Sequence, residues 1–470
     1  MSEEERNNYD SQEVLELVRK FEELHTAGHS FFFDLDEFEK IIEYYAEQGD
    51  FEAGSKVVQY ASNLFPHSTV LMLREAQIMA GKGHIHHALP RLKNLLAFEP
   101  QNEEILLTLA SVYGQMRDHS QAIYYYKEAL RFADDELSDD ICIDLALEHE
   151  NMNDFQGAIK ILKDALARNP NNETAIHELA FCFEMTGDLD ACIHYYQEFI
   201  DRFPYSYTSW YNLGNALVKT ENVADAIDAF SYCLAIEPGF TAASFNRAMA
   251  YIHQEEFENA IEDLQDALVT ESPQASTYCY IGECYEKTGN FDLARENYLK
   301  ALETDDTFSE AYIGLGVLKD LENHPVEALE YFRKALALDP ENSDYLFLIA
   351  ETLYASGKTA EARETYDHLL ATAPQNEDLW LEYSDFIAAE DGIDEALALL
   401  EKGLRELNGN IPMLFRKVAY LHRMGMRQEA YILLHTLLPE YPELRSELTD
   451  YYPDIQMDPT FVGLCELYEK

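Results

Sequence analysis

A period of 34 residues runs through almost the whole chain, and it constrains the fold more than any other feature. Starting at Leu35, twelve units fit, with a single two-residue slip near Leu137–Ser138. The units are 35–68, 69–102, 103–138, 139–172, 173–206, 207–240, 241–274, 275–308, 309–342, 343–376, 377–410 and 411–444. Within a unit, position 20 is always small: Gly54, Cys192 and otherwise Ala, from Ala88 to Ala430. Position 8 is small in ten units, as in Ala110, Gly214, Gly282 and Gly316; Ile42 and Val418 are the exceptions. Position 24 is bulky throughout, as in Tyr126, Phe230, Tyr298 and Phe332. Position 32 is Pro in eight units, from Pro66 to Pro442.

This spacing has a physical meaning. Positions 4, 7, 8 and 11 share one helical face, and 20, 24 and 27 share another. Small residues at 8 and 20 let two antiparallel helices approach closely, and the bulky residue at 24 fills the space beside them. A turn rich in Gly and Asp separates the two, as in TGDLD (186–190) and TGNFD (288–292). The Pro at 32 cannot continue the second helix and so ends the unit. One such pair cannot bury its own apolar face. Stacking buries it, which predicts one all-α, right-handed α-solenoid superhelix rather than twelve domains.

The pattern resembles the tetratricopeptide repeat family over about 410 of the 470 residues. Units 3, 7, 8 and 11 depart from it at position 32, with Asp134, Ser272, Asp306 and Asn408 in place of Pro. The resemblance implies a concave groove lined by the first helices, through positions 2, 5, 6, 9, 12 and 13. Outside the array, residues 1–34 read as an N-terminal capping helix, with a start at Ser11, an apolar face of Val14, Leu17, Val18, Phe21 and Leu24, and Phe31–Phe33 packed beneath. Residues 445–470 read as a C-terminal cap or a docking tail, with a short helix at Ser446–Tyr452 and an amphipathic turn, PTFVGLCELYEK, at the end.

Composition narrows the function. There are 34 Lys+Arg against 88 Asp+Glu, a net charge of −54, which disfavours nucleic acid and anionic membranes and favours basic partners or plain solubility. The seven cysteines form no C-x-x-C pair, which fits reduced thiols. MSEEERNNYD lacks the basic and apolar regions of a secretory signal, and no apolar run suits a membrane helix, so a cytoplasmic location is expected.

The groove residues then carry the functional reading. Position 5 is apolar in ten of twelve units, a stripe that is either core or binding surface. Its densest stretch, with neighbouring positions, is Phe181, Tyr211, Phe245, Met249 and Ile252. Acidic groups border it: Glu43, Glu47, Glu184, Glu283, Glu286, Asp320 and Glu351. Asn212 and Asn246 occupy position 6, and Asn215 occupies position 9. All three are expected to face the groove, where an amide can both donate to and accept from a peptide backbone. The resemblance brings two comparisons: an asparagine ladder at position 6, as in long arrays of the family, and the carboxylate clamp of co-chaperone members. Asn215 and Asn246 match two clamp elements, but Tyr211, Ser276 and Tyr280 stand where the cations belong, so capture of a C-terminal carboxylate is not expected.

Remaining signals are weaker. His84, His86 and His87 read as an exposed turn before they read as a metal site, and Cys279 and Cys284 as packing thiols. Arg405, Arg416, Lys417, Arg423 and Arg427 form a basic island against Glu406 alone, either a solvated face or a dock for an acidic partner. No nucleotide-binding, zinc-protease or nucleophile-elbow motif is present. The expectation is a non-enzymatic scaffold or adaptor without cofactor or metal. It would bind a protein or peptide with basic and apolar residues through Asn212, Asn215, Asn246, Tyr211, Phe245, Met249, Ile252, Phe181 and Glu283. Self-association through the ends is possible. The alternatives are an acidic holdase or nucleic-acid mimic acting through charge, and a structural subunit of a larger assembly.

Overall fold

The computed structural model describes residues 3–26, 32–270 and 274–468. Those residues form 27 α-helices and two short 3-10 helices, with no strand. The protein is an all-α tandem-repeat solenoid. In eleven repeats the first helix begins on the repeat's first residue, as in Leu35–Glu47, Tyr207–Lys219 and Ile411–Arg423. The second helix begins at position 17 in all twelve, as in Phe51–Leu64, Val223–Ile236 and Arg427–Leu437.

Local chemistry sets these boundaries. Asp34, Ser68, Asn102, Asn172, Asn342, Asn376 and Asn410 precede first helices and accept a backbone N–H from the first turn. Asp50, Asp118, Asp154 and Asp188 do the same for second helices. Between the two helices, position 15 adopts a left-handed backbone in eleven repeats. Six of these residues are glycine, but Arg117, Asn153, Glu221, Glu255 and Asn323 take the same conformation with a side chain attached. Repeat 11 differs: its first helix runs on to Glu390, and Gly392 (φ 125°) makes the turn.

The two-residue slip has a structural outlet. The second helix of repeat 3 stops at Ala129 after 11 residues, and the next helix, Asp135–Asn151, is 17 residues long. Asp134 caps it, so the expected boundary at 138/139 falls inside a helix rather than between two. The extra residues add a first turn.

Packing follows the predicted small-and-bulky scheme. Every position-24 side chain is buried, from Val58 (3% exposed) to Leu434 (0%). In repeat 6, a Cβ added to Gly214 would lie 2.5 Å from the Phe230 ring; in repeat 8, one on Gly282 would lie 2.8 Å from Tyr298. The two helices thus touch at glycine because the ring leaves no room for a methyl group. Position 4 adds a joint between repeats: the indole nitrogens of Trp210 and Trp380 each donate to a position-32 proline carbonyl of the preceding repeat, Pro204 and Pro374, at 2.9 Å.

The chain divides into two compact bodies, Met1–Asn246 and Arg247–Lys470, each with its own core. In the first, consecutive clusters run along the sequence, from Val18–Ile78 through Leu73–Leu145 to Ala146–Ala243. In the second, the largest cluster spans Ala328–Tyr420, and a terminal one joins Phe415 and Leu434 to Leu448, Ile455, Phe461 and Cys465.

The ends depart in detail from the sequence reading. The N-terminal helix is Glu3–Thr26, so Ser11 lies inside it and does not start it. Val18, Phe21 and Phe33 are buried against Phe38 and Ile41, but Phe32 is 69% exposed because only its neighbour points into the core. Phe31 lies outside the described residues. At the other end, Arg445–Tyr451 and Pro459–Tyr468 form a short helix pair that covers the last repeat. Among the described residues, no helix is long and apolar enough to cross a membrane.

Candidate functional site

On the exposed face of the first helices one contact recurs, at four of the eleven junctions between repeats. Position 9 of one repeat meets position 6 of the next, 31 residues later. Glu43 pairs with Arg74 (2.5 Å), the Gln77 amide donates to Thr108 (3.0 Å), the Asn246 amide donates to Asn215 (2.7 Å), and Arg416 pairs with Asp385. Each rung matches a donor with an acceptor. Arg74 goes further and also holds Glu39 and Glu104, with only 12% of its side chain exposed.

In the first body, the amide rung is the centre of the candidate site. The Asn246 amide donates to the Asn215 oxygen and, at 3.3 Å, to the Tyr211 hydroxyl. Tyr211 is held in place by the ring of Phe240 (centroids 5.0 Å apart, edge-on) and by His177 (6.4 Å). Asn215, Asn246, Tyr211 and Phe245 are all half-buried. With one bond spent between them, the pair still has the Asn215 NH2, the second lone pair of the Asn215 oxygen and the Asn246 oxygen to offer a ligand.

Asn212 does not join this group. It was expected to face the groove, but it is 5% exposed and its amide donates to the Ile176 carbonyl at 3.4 Å. The Tyr196 hydroxyl donates to the same carbonyl at 2.5 Å. Tyr196 is the bulky position-24 residue of repeat 5, and its buried hydroxyl, raised well above the usual phenol range by burial, needs polar company. Asn212 turns inward to supply it. It is a structural residue of the inter-repeat joint.

Phe181 is 45% exposed and packs edge-on against Phe155 (6.3 Å). Met249, Ile252 and Glu283 belong to the second body, where all three are half-buried. Glu283 sits on the helix Ala275–Lys287 and helps raise the Glu286 carboxyl, whose shift comes first from burial.

Several charges expected to border the groove are already committed. Glu184 pairs with Lys219 (2.5 Å), and Glu286 accepts from the Tyr298 hydroxyl (2.8 Å). The basic island is also largely neutralised from within, which removes most of its capacity for an acidic partner. Arg416 binds Asp385 and lies 3.4 Å over the Tyr451 ring, Lys417 pairs with Glu401 (2.7 Å), and Arg427 approaches Asp458 (3.4 Å). These partners lie outside the 405–427 window, so a local charge count could not see them. The cysteines pack: Cys192, Cys233, Cys279 and Cys284 are each pushed up to about 12 by burial, which leaves no reactive thiolate among these four.

Comparison with known proteins follows the same periodicity. Family models described as tetratricopeptide repeat match residues 103–136, 152–213, 211–276, 273–341 and 321–381, together more than half of the chain.

The chain belongs to the tetratricopeptide repeat family.

A human protein, general transcription factor 3C polypeptide 3, is 29% identical over 128 residues, which is 27% of this chain and 14% of that protein. The match therefore spans a small part of the relative. Among solved structures, this tetratricopeptide protein is similar to the Cut9–Hcn1 hetero-tetramer of the APC/C (15% identity, 89% of this chain, 94% of that chain, TM-score 0.41). It is also similar to MamA (26%, 36%, 92%, 0.32) and to Pseudomonas aeruginosa pilF (22%, 43%, 93%, 0.36). Those scores are too low for the likeness to bear on function. Family membership supports a protein-interaction scaffold in general terms.

Proposed function

We propose that this protein is a non-enzymatic, cytoplasmic adaptor that holds a segment of another protein against the exposed faces of its first helices. In the first body the contact centres on Tyr211, Asn215 and Asn246, with Phe181 and Phe245 as apolar neighbours. Met249, Ile252 and Glu283 fall in the second body. The observation that carries this reading is the Asn215–Asn246–Tyr211 cluster: three half-buried polar side chains linked through the Asn246 amide, with donors and acceptors left over. Such groups can pair with a peptide backbone whatever its sequence, and aromatic rings beside them supply apolar contact. The charge of −54 selects for basic partners and speeds their arrival.

The test is affinity capture from native cells with wild-type protein and an Asn215→Ala/Asn246→Ala variant. Loss of a subset of partners is expected, and an unchanged partner list would sink the assignment. Raising the salt from low to moderate separates this reading from sequestration by charge alone, because screening removes charge-driven binding while apolar anchors persist. A second reading, a subunit of a larger assembly, is favoured by the similarity to the human protein, one polypeptide of a general transcription factor.

A further inference from the structure

The C-terminal cap does more than cover the last repeat. Covering needs apolar side chains, and Leu448, Ile455, Phe461 and Cys465 are buried for that purpose. Tyr451, the last residue of the helix Arg445–Tyr451, reaches elsewhere. Its hydroxyl donates to Asp385 of repeat 11, 66 residues earlier, at 2.7 Å. Its ring centroid lies 3.4 Å from the Arg416 guanidinium. The Tyr420 hydroxyl donates to the same Asp385 oxygen at 2.6 Å and bonds to Ser384 at 2.9 Å, while its ring stands edge-on to Tyr451 (centroids 6.3 Å apart). Asp385 and Arg416 are positions 9 and 6 of consecutive repeats, the places that Asn215 and Asn246 hold in the first body. At this junction the chain has therefore laid one of its own side chains on the face of its first helices, ring on cation and hydroxyl on carboxylate.

These contacts select a tyrosine. Phenylalanine would leave the Asp385 oxygen one donor short, an acidic side chain would meet Asp385, and a basic one would meet Arg416. The helix that delivers the tyrosine is also built to leave. It has seven residues, too few to be stable alone, and 3-10 turns starting at Pro442 and Pro453 flank it. Leu448 is its one buried residue. The rest of the cap has fastenings of its own: Asp458 accepts the Thr460 N–H (2.9 Å) at the start of the last helix and pairs with His422 (3.3 Å), and Phe461 and Cys465 are buried beyond it. Residues 445–451 can thus lift while Pro459–Tyr468 stays in place. We propose that Arg445–Tyr451 is a self-ligand that keeps the Asp385–Arg416 site shut, and that a partner segment presenting a tyrosine takes the site when this helix lifts. The inference rests on the adaptor reading and adds to it a gated site in the second body.

The probe is an end-blocked, fluorescent peptide copying residues 446–451, compared with a twin carrying alanine in place of its tyrosine. Binding to the full chain is read by fluorescence anisotropy. Tethering gives Tyr451 a high effective concentration, so the wild type should exclude the peptide. Tyr451→Ala should bind it at least about tenfold tighter than the wild type does, and at least about tenfold tighter than the alanine twin. Adding Arg416→Gln to Tyr451→Ala should remove that preference. Amide hydrogen exchange supplies a readout that needs no peptide: in the wild type, residues 445–451 should exchange faster than 459–468, and Tyr451→Ala should raise exchange in 445–451 alone. Equal peptide binding by wild type and Tyr451→Ala, no preference for tyrosine, or a cap that exchanges as one unit would each overturn the inference. The capture experiment on Asn215 and Asn246 reports separately: partners lost there, with no tyrosine preference here, removes this inference and leaves the adaptor reading in place.

Discussion

At the residue scale, Asn212 and Asn215 show how three positions along one helix separate structure from function. Both are asparagines in the stretch NLGN, yet one is buried on the Ile176 carbonyl and the other is half-exposed on Asn246. Asn212→Ala should therefore cost stability rather than partner binding. It leaves a buried carbonyl and the Tyr196 hydroxyl with one donor fewer, at about 1–3 kcal/mol. Urea unfolding of the Ala variant measures this, and a midpoint equal to wild type would contradict the joint role. The sequence could not make the distinction, because position 6 points outward in the family pattern and only the buried Tyr196 hydroxyl draws Asn212 in. The amide rung itself was open to discovery. Complementary residues 31 apart recur as Glu43 and Arg74, Gln77 and Thr108, Asn215 and Asn246, and Asp385 and Arg416, and a search at that spacing would have found them.

At the element scale, the helices were legible because the small residues at positions 8 and 20 and the proline at 32 answer to sterics that repeat without change. Gly214 is glycine because Phe230 fills the space a methyl would take. The turns were less legible. A left-handed residue at position 15 is obvious in TGDLD or TGNFD, where it is Gly187 or Gly289, but hidden where Glu221 or Glu255 takes the same backbone. The left-handed conformation costs a side-chain-bearing residue roughly 1–2 kcal/mol, and glycine returns part of that as unfolded-state entropy. Glu221→Gly is thus expected to stabilise the first body by about 0.5–1 kcal/mol. A urea midpoint shifted downward would count against the left-handed turn. The first turn added at Asp135 was hidden for another reason: a period search registers a two-residue slip but not which helix absorbs it.

At the scale of the whole molecule, charge dominates. With −54 net, self-repulsion opposes folding, so stability should rise as salt is raised from low to physiological levels and the Debye length falls from about 30 to about 8 Å. Acid should act in the same direction at first. Glu43, Asp144, Glu150, Glu286, Glu351 and Glu382 are all raised, chiefly by burial. A raised carboxyl holds its proton more tightly in the folded state, so its ionisation penalises the fold at neutral pH. That penalty fades as pH falls toward the ordinary glutamate value of 4.5. Opposing it, Glu99, Asp154, Glu322 and Asp458 are lowered, and the stability they contribute is lost only at still lower pH. Thermal melts at constant ionic strength should therefore show a rising midpoint from neutral toward mildly acidic pH, then a fall. A midpoint that drops from the first step of acidification would show that the buried carboxylates are not the controlling groups.

The contacts that join repeats, Trp210 to Pro204, Asn246 to Asn215, Arg74 to Glu43 and Glu104, reach only into an adjacent repeat. Nothing in that scheme ties the first repeat of a body to its last. Under tension, such a body behaves as a chain of links rather than a knot. One link can open while its neighbours hold, releasing 34 residues, or about 110–120 Å of extended chain, at a time. An adaptor built this way can yield to a pull on its cargo by one repeat and close again when the load is gone.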